Sequence, residues 1–174
     1  MVHSIELLFD PGTEDSARRT WEALKEAGLR TPGQTSRPHL TLVVADGISS
    51  EVDELLIPIT AQLPLRCRIG AVTLFPAGQT CTLVRLVIPT KALLSLQQQV
   101  HAICRPYSTR PAPNTRPGEW TPHVTLARRV DPTQLAQAVT IRKLARDVSG
   151  SIVGLRHWDG DHRLEQPIPH PDRR

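Results

Sequence analysis

The sequence predicts an α+β fold of two similar lobes. Strand-like and helix-like stretches follow one another in the same order twice, over residues 2–75 and again over 80–158. Each half carries a His-x-Thr triplet at the start of its second strand, directly after an irregular loop that ends in proline. The 174 residues suffice for one domain with a sizeable core, read here as 1–174, with repeat-like halves at about 1–76 and 80–158 and a polar tail at 159–174.

Taken in order, Val2 to Phe9 reads as a strand. Asp10-Pro11-Gly12 then turns the chain into an amphipathic helix from about Thr13 to Ala27, closed by Gly28. Residues 30–38 form a loop. His39 to Ala45 is a second strand. A helix follows over about Ser50 to Leu63, with Val52, Leu55, Leu56 and Ile59 at helical spacing and Pro58 as a kink. Leu65 to Phe75 has strand character. The second half repeats this with strand Thr82 to Ile88, helix Thr90 to Arg105, a Pro-rich loop to Pro122, and strand His123 to Val130. A helix over Pro132 to Arg146, opened by Asp131 as N-cap, leads to a last strand at Ser151 to Trp158. The polar, Pro-rich segment beyond it is expected to form no stable element.

Composition narrows the function. A net charge of +4 suits an anionic partner, while 3% aromatic residues disfavour an extended base-stacking platform. Cys67, Cys81 and Cys104 are odd in number and form no C-x-x-C pair, so neither a disulfide framework nor a zinc site is indicated. The start of the chain lacks the basic and apolar regions of a signal peptide, and no apolar run reaches membrane-spanning length. A cytoplasmic protein with no membrane association is expected.

The chemistry resides in Arg37-Pro38-His39-Leu40-Thr41-Leu42 and Thr121-Pro122-His123-Val124-Thr125-Leu126. Alternation along a strand places His39 with Thr41 and His123 with Thr125 on one face, and the aliphatic residues on the other. Two such strands facing each other would line a cleft with two imidazoles and two hydroxyls. In-line displacement at phosphorus needs a base on one side and an acid on the other, and two histidines supply both near neutral pH. The hydroxyls can donate to the non-bridging oxygens. Threonines are poor metal ligands and no carboxylate shares either strand face, so no metal and no cofactor is called for.

With these residues in view, the chain resembles the 2H phosphoesterase superfamily, which includes the RNA 2′,3′-cyclic phosphodiesterases also described as 2′-5′ RNA ligases. The segment His123-Val124-Thr125-Leu126-Ala127-Arg128 is especially similar to that branch. The resemblance implies two antiparallel sheets with helices on their outer faces around a central cleft. It assigns His39 and His123 as the acid/base pair and Thr41 and Thr125 as phosphate ligands. The implied substrate is an RNA terminus or a cyclic nucleotide carrying a 2′,3′-cyclic phosphate, with reverse 2′-5′ ligation possible in principle. The protein is expected to act as a monomer without an obligate partner. Arg128 is a further candidate phosphate contact, although strict alternation puts Arg129 rather than Arg128 on the face of His123 unless a bulge intervenes.

Other residues receive plainer readings. His3, His157, His162 and His170 lie near the termini, where surface placement is usual. His157, Asp159, Asp161 and His162 read as a polar turn, not a metal cluster. Trp120 reads as packed under its own loop, with stacking on a base as the alternative, and Phe75 stands between the same two readings. Arg37, Arg110 and Arg116, in the loops before the motif strands, offer a positive rim for RNA. The competing function on this fold is a non-catalytic RNA- or nucleotide-binding module. Paired histidines argue against it, since fixed positive charge would serve binding alone better.

Overall fold

A computed structural model describes residues 2–33 and 35–173. The chain runs β1 (His3–Phe9), α1 (Pro11–Glu26), β2 (His39–Ala45), β3 (Gly47–Ile48), α2 (Glu51–Thr60), β4 (Leu65–Ala77) and β5 (Thr80–Val87). It continues through α3 (Lys91–Cys104), β6 (Ser108–Thr109), β7 (His123–Val130), α4 (Pro132–Ala138), β8 (Val148–Asp159) and β9 (Leu164–Ile168). All strand pairings are antiparallel. The main sheet has the order β2-β1-β8-β4-β5-β7, with β9 added to β8. The two strands that begin with the motif histidines are therefore the two ends of this order, and they also pack against one another.

Two cores lie behind the sheet. Ile5, Leu7 and Phe9 of β1 and Leu40 and Leu42 of β2 join Leu56 of α2 and Leu96 and Val100 of α3 in the larger one. Trp21 and Leu24 of α1, Leu126 and Val130 of β7 and Ala138 of α4 form the smaller. The halves of the sequence interleave: α1 packs on β7, α3 packs on β2, and β8 lies between β1 and β4.

Local chemistry explains the helix starts. The Asp10 carboxylate accepts from the Thr13 backbone at 3.0 Å and from its hydroxyl at 2.7 Å, and Pro11 occupies the first turn. The same carboxylate accepts from the Ser151 amide at 2.6 Å, which ties α1 to β8. Asp131 and Gln134 form a reciprocal capping box at the start of α4. Gly28, with φ of 82°, ends the first helical segment.

The structure differs from expectation in three places. Pro58 lies in the last turn of α2, and the helix stops at Thr60, short of Leu63. The predicted helix to Arg146 ends at Ala138. Val139, Thr140 and Ile141 are β-branched and weakly helical, and a short 3₁₀ turn at Arg142–Ala145 replaces the remainder. The tail, expected to be without structure, contains β9. The long β8 leaves an unpaired edge beyond its contact with β4, and Leu164–Ile168 fills it, with Ile168 buried and Pro167 tolerated because β9 is itself an edge strand.

Candidate active site

His39 and Thr125, from opposite ends of the sheet order, line one cavity of about 420 Å³ together with Ser36, Arg30, Arg128 and Arg129. His123 and Thr41 lie outside that lining. His123 is nonetheless near enough for the charges of His39 and Arg128 to act on its imidazole.

The two histidines are held identically. Each Nδ1 lies 2.7 Å from the carbonyl oxygen two residues earlier, Arg37 for His39 and Thr121 for His123. A carbonyl can only accept, so each Nδ1 carries the proton and each Nε2 is the nitrogen available for chemistry. The proline between each histidine and the residue that supplies this carbonyl, Pro38 or Pro122, restricts the backbone that makes the contact.

The motif threonines are secured through their backbones. The indole Nε1 of Trp120 donates to the Thr41 carbonyl at 2.9 Å, and that of Trp21 donates to the Thr125 carbonyl at the same distance. Each tryptophan comes from another element, Trp120 from the loop before β7 and Trp21 from α1. Trp120 is accordingly packed, partly buried against the larger core. Neither threonine hydroxyl has a hydrogen-bond partner among the described residues, which leaves both free to donate to a ligand. Replacing Trp120 with phenylalanine should lower the unfolding free energy by about 1–2 kcal/mol, because a half-buried carbonyl loses its donor. Denaturant titration measures this, and an unchanged midpoint would show that the indole contact carries no weight.

The environments of the two imidazoles differ. Burial pushes His123 below the ordinary imidazole value; the charges of His39 and Arg128 add to the depression, while the Thr121 carbonyl opposes it. Phe75 meets the His123 ring edge-on with centroids 4.8 Å apart, so this aromatic packs against the imidazole. His39 instead faces a carboxylate, with Glu6 Oε1 3.5 Å from its Nε2.

Glu6 was not distinguished in the sequence, yet it is almost fully buried. Its Oε1 accepts from the Ser4 hydroxyl at 2.6 Å, and its Oε2 accepts from Arg156 Nε at 2.8 Å and Nη2 at 2.6 Å. Arg156 also donates to Glu165 at 2.6 Å, Glu165 accepts from Arg37 at 3.3 Å, and Arg37 donates to Glu14 at 2.9 Å. Alternating charges thus run from α1 through β9 and β8 to the first histidine. The available signal was a charged residue inside the apolar strand Ile5-Glu6-Leu7-Leu8, whose cross-strand partners are Thr41 and Arg156.

The cations that reach the cavity are not those expected from the loops. Arg37 is engaged by Glu14 and Glu165, and Arg110 by Asp46 at 2.6 Å, and neither lines the cavity. Arg128 does line it. The register of β7 against β5 shifts twice, between the Val84–Thr125 and Leu83–Ala127 pairs and between the Leu83–Ala127 and Cys81–Val130 pairs, and Arg129 adopts φ of 54°. These two irregularities break the alternation: Leu126 and Ala127 are both buried, and Arg128 and Arg129 are both exposed toward the same cavity.

His3 and His157, expected at the surface, are buried, with His157 Nδ1 2.8 Å from Asp53. The strands extend far enough to enclose both. The Asp159–His162 segment forms the expected polar turn, in which Asp159 accepts from the backbone of Asp161 and His162 and from the His162 ring. His3, Asp159 and Asp161 also bring donor atoms within 4.8 Å of one another, a grouping at the far end of β1 from the cleft.

Comparison with known proteins places this fold. A family model described as the 2′-5′ RNA ligase superfamily matches residues 13–162. The chain belongs to this superfamily of 2H phosphoesterases. No curated protein sequence matches it. Among solved structures, Escherichia coli LigT complexed with 3′-AMP is similar, with a TM-score of 0.63 and 16% identity over 96% of this chain and 94% of that one. TT0787 of Thermus thermophilus has a TM-score of 0.59 and 19% identity over 97% and 96% of the two chains. Kluyveromyces marxianus Usb1 has a TM-score of 0.52 and 11% identity over 97% of both. At these identities the likeness establishes the 2H phosphoesterase fold. No helix of the described residues is long and apolar enough to cross a membrane.

Proposed function

We propose that this 2H phosphoesterase is a metal-independent phosphodiesterase that hydrolyses the 2′,3′-cyclic phosphate at an RNA end or on a nucleotide. The observation that carries the reading is the matched pair of imidazoles, each with its Nδ1 proton committed to a carbonyl and its Nε2 left for proton transfer. Thr41 and Thr125 hold the non-bridging oxygens, and Arg128 balances their charge.

The depressed proton affinity of His123 suits the base, which must be neutral before reaction. His123 Nε2 removes a proton from water, the water oxygen bonds to phosphorus, and the bond to one ribose oxygen breaks. His39 Nε2 delivers its proton to that leaving oxygen. The product is a phosphomonoester beside a free hydroxyl; with the 5′-hydroxyl of a second RNA in place of water as nucleophile and the 3′-oxygen as leaving group, the same displacement forms a 2′-5′ phosphodiester. Glu6 and its arginine hold the His39 ring in place. The enzyme acts as a cytoplasmic monomer.

The test is turnover of a short RNA ending in a 2′,3′-cyclic phosphate, and of mononucleotide 2′,3′-cyclic phosphates, with EDTA present. Hydrolysis unaffected by chelation is expected, with a bell-shaped pH profile. Because the neutral form of His123 must be present and its pKa is lowered, the ascending limb should lie below the ordinary imidazole value of about 6.5. Binding without turnover would favour a non-catalytic module, and a flat profile between about pH 5 and 9 would contradict paired imidazoles.

A further inference from the structure

A second cavity, of about 350 Å³, adjoins the first and shares with it Trp21 and the loop at residues 30–33. Beyond that loop it is bounded by Leu29 and by Arg18, Glu22 and Lys25, which recur on one face of α1. The two cavities form one path that leaves the histidine site over the loop before β2 and continues along the helix.

The cations that border this path are mostly uncommitted. Arg18, Arg37, Arg68, Arg110 and Arg156 are each tied to an acidic partner, and of these only Arg18 reaches the path. Lys25, Arg30, Arg128 and Arg129 are exposed and have no ion-pair partner among the described residues, and all four border it. Arg129 is also held in a left-handed conformation that disfavours a side chain, so the backbone accepts a cost to keep both arginines on this side. Glu22 is the one acid in the lining.

We infer that this path is a binding groove for the RNA strand leading to the terminal phosphate, with Lys25 and Arg30 contacting backbone phosphates upstream of the reacting one. The inference rests on the phosphodiesterase reading and names its substrate as an oligonucleotide in preference to a mononucleotide. The groove recognises charge, not bases. Trp21, which lines both cavities, is only 6% exposed and lies beneath the Arg18 guanidinium, and Trp120, Trp158 and Phe75 are outside the lining, so none of them offers an open stacking platform along the path. Binding through phosphates alone is independent of sequence and strongly dependent on salt.

The experiment compares a 5′-labelled RNA hexamer ending in a 2′,3′-cyclic phosphate with a mononucleotide 2′,3′-cyclic phosphate, in the wild type, Lys25→Gln and Glu22→Gln. Fluorescence anisotropy gives hexamer affinity, and steady-state kinetics gives KM and kcat for both substrates. Lys25→Gln should weaken hexamer binding about fivefold and reduce its salt slope by about 0.7, the contribution of one phosphate on a single strand. Glu22→Gln should tighten it. Neither should alter mononucleotide kinetics. Unchanged hexamer affinity in Lys25→Gln, or equal changes for both substrates, would overturn the groove. If the wild type hydrolyses neither substrate, the catalytic reading fails, and the anisotropy and its salt slope still decide the groove.

Discussion

Replacing His123 with alanine is expected to reduce turnover about 10²- to 10⁴-fold, the usual contribution of a positioned acid or base, and His39→Ala should do the same. The double variant should be little worse than either single one, because in the proposed mechanism the rings act as a unit in one displacement. Neither substitution should unfold the protein, since both rings are only partly buried and each makes one hydrogen bond to a neighbouring carbonyl. Thr41→Val or Thr125→Val should lose less, about tenfold, as one neutral donor to the phosphate is removed. Circular dichroism alongside single-turnover kinetics makes the comparison. A His123→Ala variant that kept wild-type turnover would remove this residue from the reaction.

Arg156→Ala carries the largest expected effect on stability. Glu6 and Arg156 are only 4% and 5% exposed, and removing the guanidinium strands a carboxylate in the interior. The expected cost is about 3–5 kcal/mol, which for a chain of this size lowers Tm by roughly 10 °C. The loss belongs to the orphaned charge, so Glu6→Gln combined with Arg156→Met should recover most of it. Activity should not recover in parallel, because the carboxylate that faces His39 is then gone. Scanning calorimetry of the single and double variants separates these outcomes, and a Tm within about 2 °C of wild type for Arg156→Ala would show that the pair contributes little.

The parts of the molecule visible in the sequence are those governed by local rules. Period-two alternation assigned the two motif strands, and the recurrence of His-x-Thr after a proline singled out His39 and His123. Asp10 and Asp131 marked helix starts by side-chain caps that act over three residues, and Gly28 marked a helix end by the positive φ that its missing side chain permits. What was not legible depends on partners distant along the chain. Glu6 meets an arginine 150 residues away, and β9 exists because β8 outruns its neighbour; its own pattern, four exposed residues and then Ile168, resembles a solvated tail. The loop arginines show the same limit: Arg37 could not be distinguished from Arg30 until Glu14 and Glu165 were placed beside it. Two register shifts in β7, each inserting one extra residue against β5, defeated simple alternation at Arg128 and Arg129.

The histidine strands occupy the outermost positions of the main sheet order, and this has a bearing on inactivation. An outer strand is bonded on one side only, and such strands fray at lower free energy than the centre. Mild denaturant should therefore detach β2 or β7 while β1, β8 and β4 are still in place. Activity would be lost before the bulk spectroscopic signal changed, and the useful temperature range would be set by how firmly Leu40 and Leu42, and Leu126 and Val130, anchor these two margins to the cores behind them.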